Sequence, residues 1–373
     1  MKLPLSFSIA ALLAVGTQAQ TYTVVDLTPS AGNGVAAGIS AGVAAGYAAS
    51  AIYGTQARAL LWTADEPTDL HPAFLDDLVN GIVGRSYVHD LSGDLQVGAG
   101  AGPSTANRLV PLAWHGSIDS VAVLPIPFTN FGGQALASDG VQVVGSAIGL
   151  DQDGITQGPS HAMVWDAVTG EATDLGDGGN GAVANGVAAG QQVGHVIKSQ
   201  ATAALWRGSR QSLVSLHPRG AVVSVASGTD GQRQVGYAGF DIRVRREAAK
   251  GNKDQRFNYA FAWTGTAVSG LNIHPYPMNA AANVNLTQSY ALGVNGTWIV
   301  GYAGDQAKFG TPAYSHAIVW DAEYQSVDLN AFLPAGFVGA QATSVDAAGN
   351  VSGFMGKADG TRHAVVWVRQ AAQ

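Results

Sequence analysis

The sequence predicts an all-β protein, a seven-bladed β-propeller with four-stranded blades, and three observations support this fold. The first is a tryptophan that closes a short β-type run at spacings of 41 to 57 residues, close to the length of a propeller blade. A leucine follows each of the first six after a polar turn, so each pair reads as a hairpin. The tryptophans are Trp62, Trp114, Trp165, Trp206, Trp263, Trp320 and Trp367, and the leucines are Leu70, Leu124, Leu175, Leu216, Leu271 and Leu329.

The second observation is a hairpin upstream of each tryptophan, marked by a glycine that usually follows a valine. These glycines are Gly46, Gly98, Gly145, Gly194, Gly236, Gly301 and Gly353. Two hairpins per unit give four strands and seven units.

The third observation concerns the two ends of the propeller. The seventh unit stops at "HAVVWVRQAAQ" without a fourth strand, whereas "YTVVDL", Tyr22 to Leu27, reads as an unpaired copy of that strand. An N-terminal strand that completes the last blade closes the ring and removes two open sheet edges. The alternative architecture, an open β-solenoid, has no use for such complementary ends.

The chain is expected to enter a secretory pathway. Residues 1–19 have a basic start, an apolar run and small residues before Gln20, which is typical of a signal peptide. We therefore expect residues 20–373 to form one propeller domain that is secreted or lies in the lumen of the pathway. Asn285 and Asn295 begin glycosylation sequons.

Composition narrows the possible partners. The chain has no cysteine, and only 12% of its residues are charged, with a net charge of −7. We expect no nucleic-acid partner, because such binding needs a basic surface, and no membrane span, because no later apolar run is long enough. No cofactor motif is present, so we expect a cofactor-independent protein.

The stretch "SHAMVWDAVTGEATDL" at Ser160 to Leu175 and its echo at Ser315 to Leu329 resemble the extracellular HAF-type repeat. The resemblance covers nearly the whole mature chain and implies a propeller. The repeat histidine, at His161, His316 and His363, is absent from the other four units, so we interpret it as structural.

The strongest candidate for chemistry lies in "GRSYVHD", on the predicted inner strand of the second blade. Arg85, Tyr87 and His89 come at period two and are expected to share one face of the strand. A cation, a phenol and an imidazole suit acid-base catalysis on an anion, so we predict these three as catalytic. If the strand begins later, they lie in an ordinary loop.

Substrate-binding residues are predicted on the loop-rich face, where the loops between second and third strands emerge. A small molecule or a glycan is the expected ligand there. The fifth-blade loop, residues 241–257, is basic and includes Arg243, Arg245 and Arg246; a solvated excursion is the simpler reading of this run.

Histidines and tyrosines complete the predicted binding residues. The pairs that begin at His71, His217 and His274 each precede a proline after a fourth strand, and Tyr237 and Tyr302 follow the second-strand glycine. Three histidines suit zinc, but these lie on blades that are not all adjacent, so we predict no metal.

Three classes of function fit these features. The whole-chain pattern resembles the secreted fungal propellers that act as hetero-Diels–Alderases in tropolone sesquiterpenoid biosynthesis. That resemblance implies addition of a tropolone quinone methide to a humulene-type terpene. The alternatives are a lyase of uronate polysaccharides and a non-catalytic extracellular binding or adhesion module.

Overall fold

A computed structural model of the chain describes residues 20–28, 33–50, 54–63, 67–151, 156–176, 178–244, 253–275, 287–305 and 315–371. These residues form seven antiparallel sheets of four strands each, so the predicted seven-bladed propeller is confirmed. The proposed signal peptide lies outside the described residues. In the part of the chain that is described, no helix has the length and apolar character needed to cross a membrane.

The strands follow one another outward from the propeller axis in each blade. The inner strands are β2 (Val35–Ser40), β6 (Arg85–Ser92), β10 (Asn130–Ser138), β14 (Ala182–Ala188), β18 (Val223–Thr229), β22 (Gln288–Asn295) and β26 (Phe337–Val345). The second strands are β3 (Val43–Ser50), β7 (Leu95–Ala101), β11 (Gln142–Leu150), β15 (Gln191–Ile197), β19 (Gln234–Val244), β23 (Trp298–Gly304) and β27 (Val351–Lys357).

The outer hairpins end each blade. The third strands are β4 (Gly54–Trp62), β8 (Val110–His115), β12 (Gln157–Asp166), β16 (Ala201–Trp206), β20 (Lys253–Trp263), β24 (Ser315–Trp320) and β28 (Arg362–Arg369). The fourth strands are β5 (Pro67–Asp69), β9 (Ala122–Val123), β13 (Ala172–Gly176), β17 (Val214–Ser215), β21 (Leu271–Asn272), β25 (Ser326–Asp328) and β1 (Tyr22–Asp26). Short 3-10 helices occupy Ala73–Leu75, Pro103–Thr105, Ile118–Ser120, Arg210–Ser212, Ala267–Ser269 and Leu329–Phe332.

The N-terminal strand closes the ring as the sequence predicts. β1 pairs antiparallel with β28, from Tyr22 opposite Arg369 to Asp26 opposite Val365. The contact is reinforced by the Asp26 carboxylate, whose Oδ2 lies 2.7 Å from Nδ1 of His363. The seventh blade therefore has no missing strand.

Apolar side chains fill each space between neighbouring blades. The seven repeat tryptophans are all buried there, and so are five of the six predicted leucines. Leu271 is an exception, because it is 47% exposed while Ile273, two residues later, is buried. Leu271 lies in the fourth strand of the fifth blade, as the hairpin pattern predicts, but the buried position of that segment falls on Ile273.

A β-bulge on every inner strand explains the second-strand glycines. The register of each inner strand shifts by one residue at the same point, as between Val88 and Asp90 in β6. Opposite this point, a Cβ on Gly98 would overlap the carbonyl oxygen of Tyr87, and the other six glycines meet the equivalent carbonyl. Glycine is therefore required by close approach of two backbones.

The basic segment of the fifth blade is a hairpin, which contradicts the predicted loop. β19 and β20 remain paired as far as Val244 opposite Lys253, well beyond the blade itself. Within the hairpin the Asp241 carboxylate accepts hydrogen bonds from Arg256 at 2.9 and 3.2 Å. Residues 245–252, with Arg245 and Arg246, lie outside the described residues.

Candidate functional site

A cavity of about 1200 Å³ lies on the propeller axis. Its walls are the carboxyl-terminal halves of the seven inner strands and the turns that join them to the second strands. The loops between second and third strands leave the sheets at the opposite end, because neighbouring strands are antiparallel. This cavity therefore lies at the short-turn end of the axis, away from the loop-rich face.

The seven bulges place one extra residue of each blade on the cavity wall. In blade order these bulge residues are Ala37, His89, Leu136, Asn185, Ser227, Leu292 and Thr343. Three of them donate a hydrogen bond to the next blade, at the carbonyl just before its own bulge. Nδ1 of His89 lies 2.8 Å from the Ala135 oxygen, and Asn185 and Thr343 make the equivalent bonds to Ala226 and Ala36.

The bond to Ala135 sets the tautomer of His89. A carbonyl oxygen only accepts, so Nδ1 carries the proton and Nε2 carries the lone pair. Burial lowers the pKa of His89, because the imidazolium loses solvation in the channel wall, and the Ala135 carbonyl opposes this shift only in part. His89 is thus a neutral base at pH 7 beside a cavity.

Asp90 follows His89 and also lines the cavity. The equivalent residue of every other blade is small and uncharged: Gly38, Ala137, Gly186, Gly228, Gly293 and Ser344. Burial raises the pKa of the Asp90 carboxyl to about 6, although the amides of Ser138 and Leu91 donate to it and act in the opposite direction. The Ser138 amide nitrogen lies 3.0 Å from Oδ2.

His89 and Asp90 are adjacent titratable residues beside the cavity. Burial lowers the pKa of His89 and raises that of Asp90, and perturbed pKa values of this kind are frequent at functional sites. Because both residues line the same cavity, a bound molecule can contact both. We therefore take this pair as the candidate functional site.

The structure brings together only part of the predicted catalytic trio. The strand begins at Arg85, so the three residues do not lie in a loop. The rings of Tyr87 and His89 stack with centroids 6.2 Å apart and planes 15° from parallel. Arg85, at the start of the strand, and Tyr87 are not among the residues that line the cavity. Their catalytic role stays a prediction.

The three histidines predicted to bind substrate join neighbouring blades. Nδ1 of His71, His217 and His274 lies 2.8, 2.7 and 2.6 Å from the hydroxyl of a serine on the next inner strand. These serines are Ser86, Ser224 and Ser289, and each also accepts a backbone amide from the third strand of the preceding blade. His71 and His274 are buried. Nε2 of His217 donates a hydrogen bond to the Ala221 carbonyl.

One of these links has the connectivity of a catalytic triad. Ser86 contacts His71, and Nε2 of His71 lies 3.1 Å from the Asp76 carboxylate. However, Ser86 has no exposed surface and His71 is 2% exposed, so no substrate reaches the hydroxyl. The arrangement stabilises the boundary between the first two blades.

The repeat histidine is also structural, as predicted. In the third, sixth and seventh blades its Nδ1 lies 2.7 to 3.0 Å from an aspartate on the fourth strand. In the first blade Arg58 takes the place of histidine and contacts Asp69 at 2.6 Å. The pair fastens the short outer strand to the rest of the blade.

The remaining predicted residues lie apart from the cavity, except for one. Tyr237 and Tyr302 both pack on Tyr290, with ring centroids 4.8 and 5.1 Å apart, and burial raises the pKa of each. Arg243 is exposed on the basic hairpin. Asn295 is exposed at the end of β22 on the cavity rim, whereas Asn285 lies outside the described residues.

No group of three or more metal-ligating side chains occurs within the described ranges. Sequence reasoning found His89 through its break in the repeat, but it missed Asp90. The signal was available, because aligning the seven inner strands on their second-strand glycines places the carboxylate in a column of glycine, alanine and serine.

Comparisons with known proteins show the fold. No model of a known protein family matches this sequence, and no curated protein matches it. The β-propeller domain of the Trilobed protease from Pyrococcus furiosus is similar, with a TM-score of 0.50 and 8% identity over 91% of this chain and 97% of that one. That domain is described as having an open velcro topology, whereas β1 closes the last blade here.

A puromycin hydrolase mutant complexed with PGG has a TM-score of 0.48 and 10% identity, over 89% of this chain and 51% of that one. A tricorn protease has a TM-score of 0.35 and 10% identity, over 87% of this chain and 41% of that one. At such identities the likeness concerns architecture, and an activity must be argued from the site itself.

Proposed function

We propose that this chain is a secreted enzyme that acts on a small hydroxylated molecule in the axial cavity, with His89 as the base and Asp90 as the acid. The observation that carries the proposal is the placement of two titratable residues, one at the bulge and one directly after it, where the other blades hold uncharged residues. The cavity, at about 1200 Å³, exceeds the roughly 300–1,000 Å³ usual for ligand sites. It therefore has room for two reacting molecules.

The specific reaction we propose is the hetero-Diels–Alder addition of a tropolone quinone methide to a humulene-type terpene. In the first step Nε2 of His89 takes the proton of the ring hydroxyl of a hydroxymethyl tropolone, and the hydroxyl of the hydroxymethyl group is the one that departs. Asp90, in its acid form, protonates the departing hydroxyl, the carbon–oxygen bond breaks and water leaves. A proton then passes from the imidazolium to the Asp90 carboxylate, which restores both groups.

The second step needs orientation and no proton transfer. The quinone methide adds across an alkene of the terpene in one pericyclic step, so the protein acts by holding the two partners. Leu136 and Leu292, half-buried bulge residues of the third and sixth blades, offer apolar contact on opposite sides of the axis. The bulge residues around the axis thus offer both polar and apolar contacts, which suits a polar tropolone together with an apolar terpene.

The charge of the cavity disfavours the uronate lyase. Four aspartates and one arginine line it, so a polymer of carboxylates meets like charge. A lyase would have to act elsewhere, for example at the loop-rich face.

The test is a reaction of purified full-length protein with a hydroxymethyl tropolone and a humulene-type alcohol, followed by chiral chromatography. We expect a faster reaction and one dominant stereoisomer, compared with the same mixture without protein. Rates and isomer ratios that match the protein-free mixture would overturn the proposal. Release of unsaturated uronates from a polysaccharide would replace it with the lyase.

A further inference from the structure

The hydrogen bonds between side chains of the cavity wall and the next blade leave several acceptor atoms that a bound molecule could use. His89 and Thr343 direct their proton toward the carbonyl of the next blade, and Asn185 directs one of its amide protons there. What these three residues and the neighbouring Asp90 leave over is mainly lone pairs: those of Nε2 of His89, of Oδ1 of Asn185 and of the Asp90 carboxylate beyond the ones that accept the Ser138 and Leu91 amides. A ligand that brings hydrogen-bond donors can satisfy them, whereas a ligand that brings only acceptors cannot.

The charges around the cavity act in the same direction. Asp139, Asp230 and Asp346 stand on the turns at its rim, and their carboxylates accept amides of their own turns. Arg233 is the one cation among the described lining residues. Its guanidinium contacts the Asp230 carboxylate and donates to the Gly296 carbonyl of the next blade, so part of its charge and two of its five N–H groups are already paired.

We propose that the axial cavity selects ligands that donate hydrogen bonds, whether neutral hydroxyl compounds or organic cations, and rejects carboxylates and phosphates. Burying an anion that finds neither hydrogen-bond donors nor a counter-charge costs more free energy than its contacts with the protein regain. This inference rests on the proposed function only in placing the substrate in this cavity. For that function it means that the tropolone enters with its hydroxyl protonated.

The test uses three probes of one size and shape: benzylamine, benzyl alcohol and benzoate. Binding is measured at pH 7.5 by ligand-observed NMR on the full chain. We expect the amine and the alcohol to bind and benzoate to bind at least tenfold more weakly than the alcohol. Added salt should weaken amine binding most, because the attraction is partly between charges. Benzoate binding equal to that of the alcohol, or no binding of any probe, would overturn the inference.

A substitution taken from the protein's own repeat locates the effect. Asp90→Ala copies Ala137 of the third blade, so the fold should tolerate it. We expect it to weaken benzylamine binding about five- to tenfold and to change benzyl alcohol binding less than twofold. Asp359→Ala removes the same charge from an exposed turn outside the cavity lining and should change neither. Equal effects of the two variants would show that net charge, and not the cavity, governs binding.

The binding assay separates this inference from the proposed function, since it needs no turnover. A protein that shows the selectivity but forms no cycloadduct keeps the inference and loses the reaction. A protein that forms the cycloadduct and also binds benzoate loses only the inference.

Discussion

The inner strands of the second and sixth blades have the same backbone and different chemistry. Each has a bulge at the same point opposite a second-strand glycine, at His89 in one blade and at Leu292 in the other. The residue after the bulge is Asp90 in the second blade and Gly293 in the sixth. The comparison separates what the repeat needs for folding, which both strands have, from what one blade has in addition.

The largest expected effect comes from turning the second strand into the sixth. His89→Leu combined with Asp90→Gly copies Leu292 and Gly293, and we expect formation of the quinone methide, and with it of the cycloadduct, to slow roughly 10²–10⁴-fold, the usual contribution of acid-base catalysis. Single-turnover rates measure the loss, and circular dichroism measures folding. A folded double variant with full activity would remove the pair from the mechanism and favour a binding module.

A smaller effect is expected from a feature that several blades share. Ser86→Ala leaves both the His71 ring nitrogen and the Ala59 amide without their partner in a buried place. Because unsatisfied buried groups are costly, we expect a loss of roughly 2–4 kcal/mol in the free energy of unfolding, measured by urea denaturation. Ser117→Ala, at an exposed serine whose side chain caps nothing, is the control and should change stability little. If Ser86→Ala lost no more stability than Ser117→Ala, the role of the Ser86–His71 contact would be contradicted.

The smallest effect should be a gain in stability that depends on pH. Burial raises the pKa of Asp90 in the folded protein to about 6 from its ordinary value of 3.8, so the ionised carboxylate is less favourable in the folded than in the unfolded protein. The associated stability is fully present below pH 3.8 and is lost as pH rises through about 6. A shift from 3.8 to about 6 corresponds to about 3 kcal/mol at most. Because Asp90 is only half-buried, solvent screens part of this, and we expect the free energy of unfolding of Asp90→Asn to exceed that of the wild type by about 1–2 kcal/mol at pH 8 and not to exceed it at pH 4. A gain that is equal at both values would contradict the raised pKa.

These comparisons explain which parts of the site the sequence could predict. His89 stands where the other six inner strands have no titratable side chain, and such a break is visible in the letters alone. The prediction that His71, His217 and His274 bind substrate followed from their place in the connections, but their serine partners lie on another strand. A sequence pattern gives no access to contacts that form only when two blades pack together.

The sequence did not predict the position of the cavity either. Loop length favoured the loop-rich face, whereas the described cavity lies at the end with the short turns. Which end of a propeller axis widens depends on how seven bulges and their side chains meet around it. That arrangement is a property of the closed ring and of no single blade.

By itself the sequence determined the number of blades, their four strands and the closure of the last blade by "YTVVDL", because tryptophan, glycine and strand periodicity are local signals that every blade repeats. Tertiary structure decided the tautomer of His89, the raised pKa of Asp90 and the acceptor-rich wall. The physical reason is that each of these depends on burial and on a partner in the next blade, and both exist only in the folded ring.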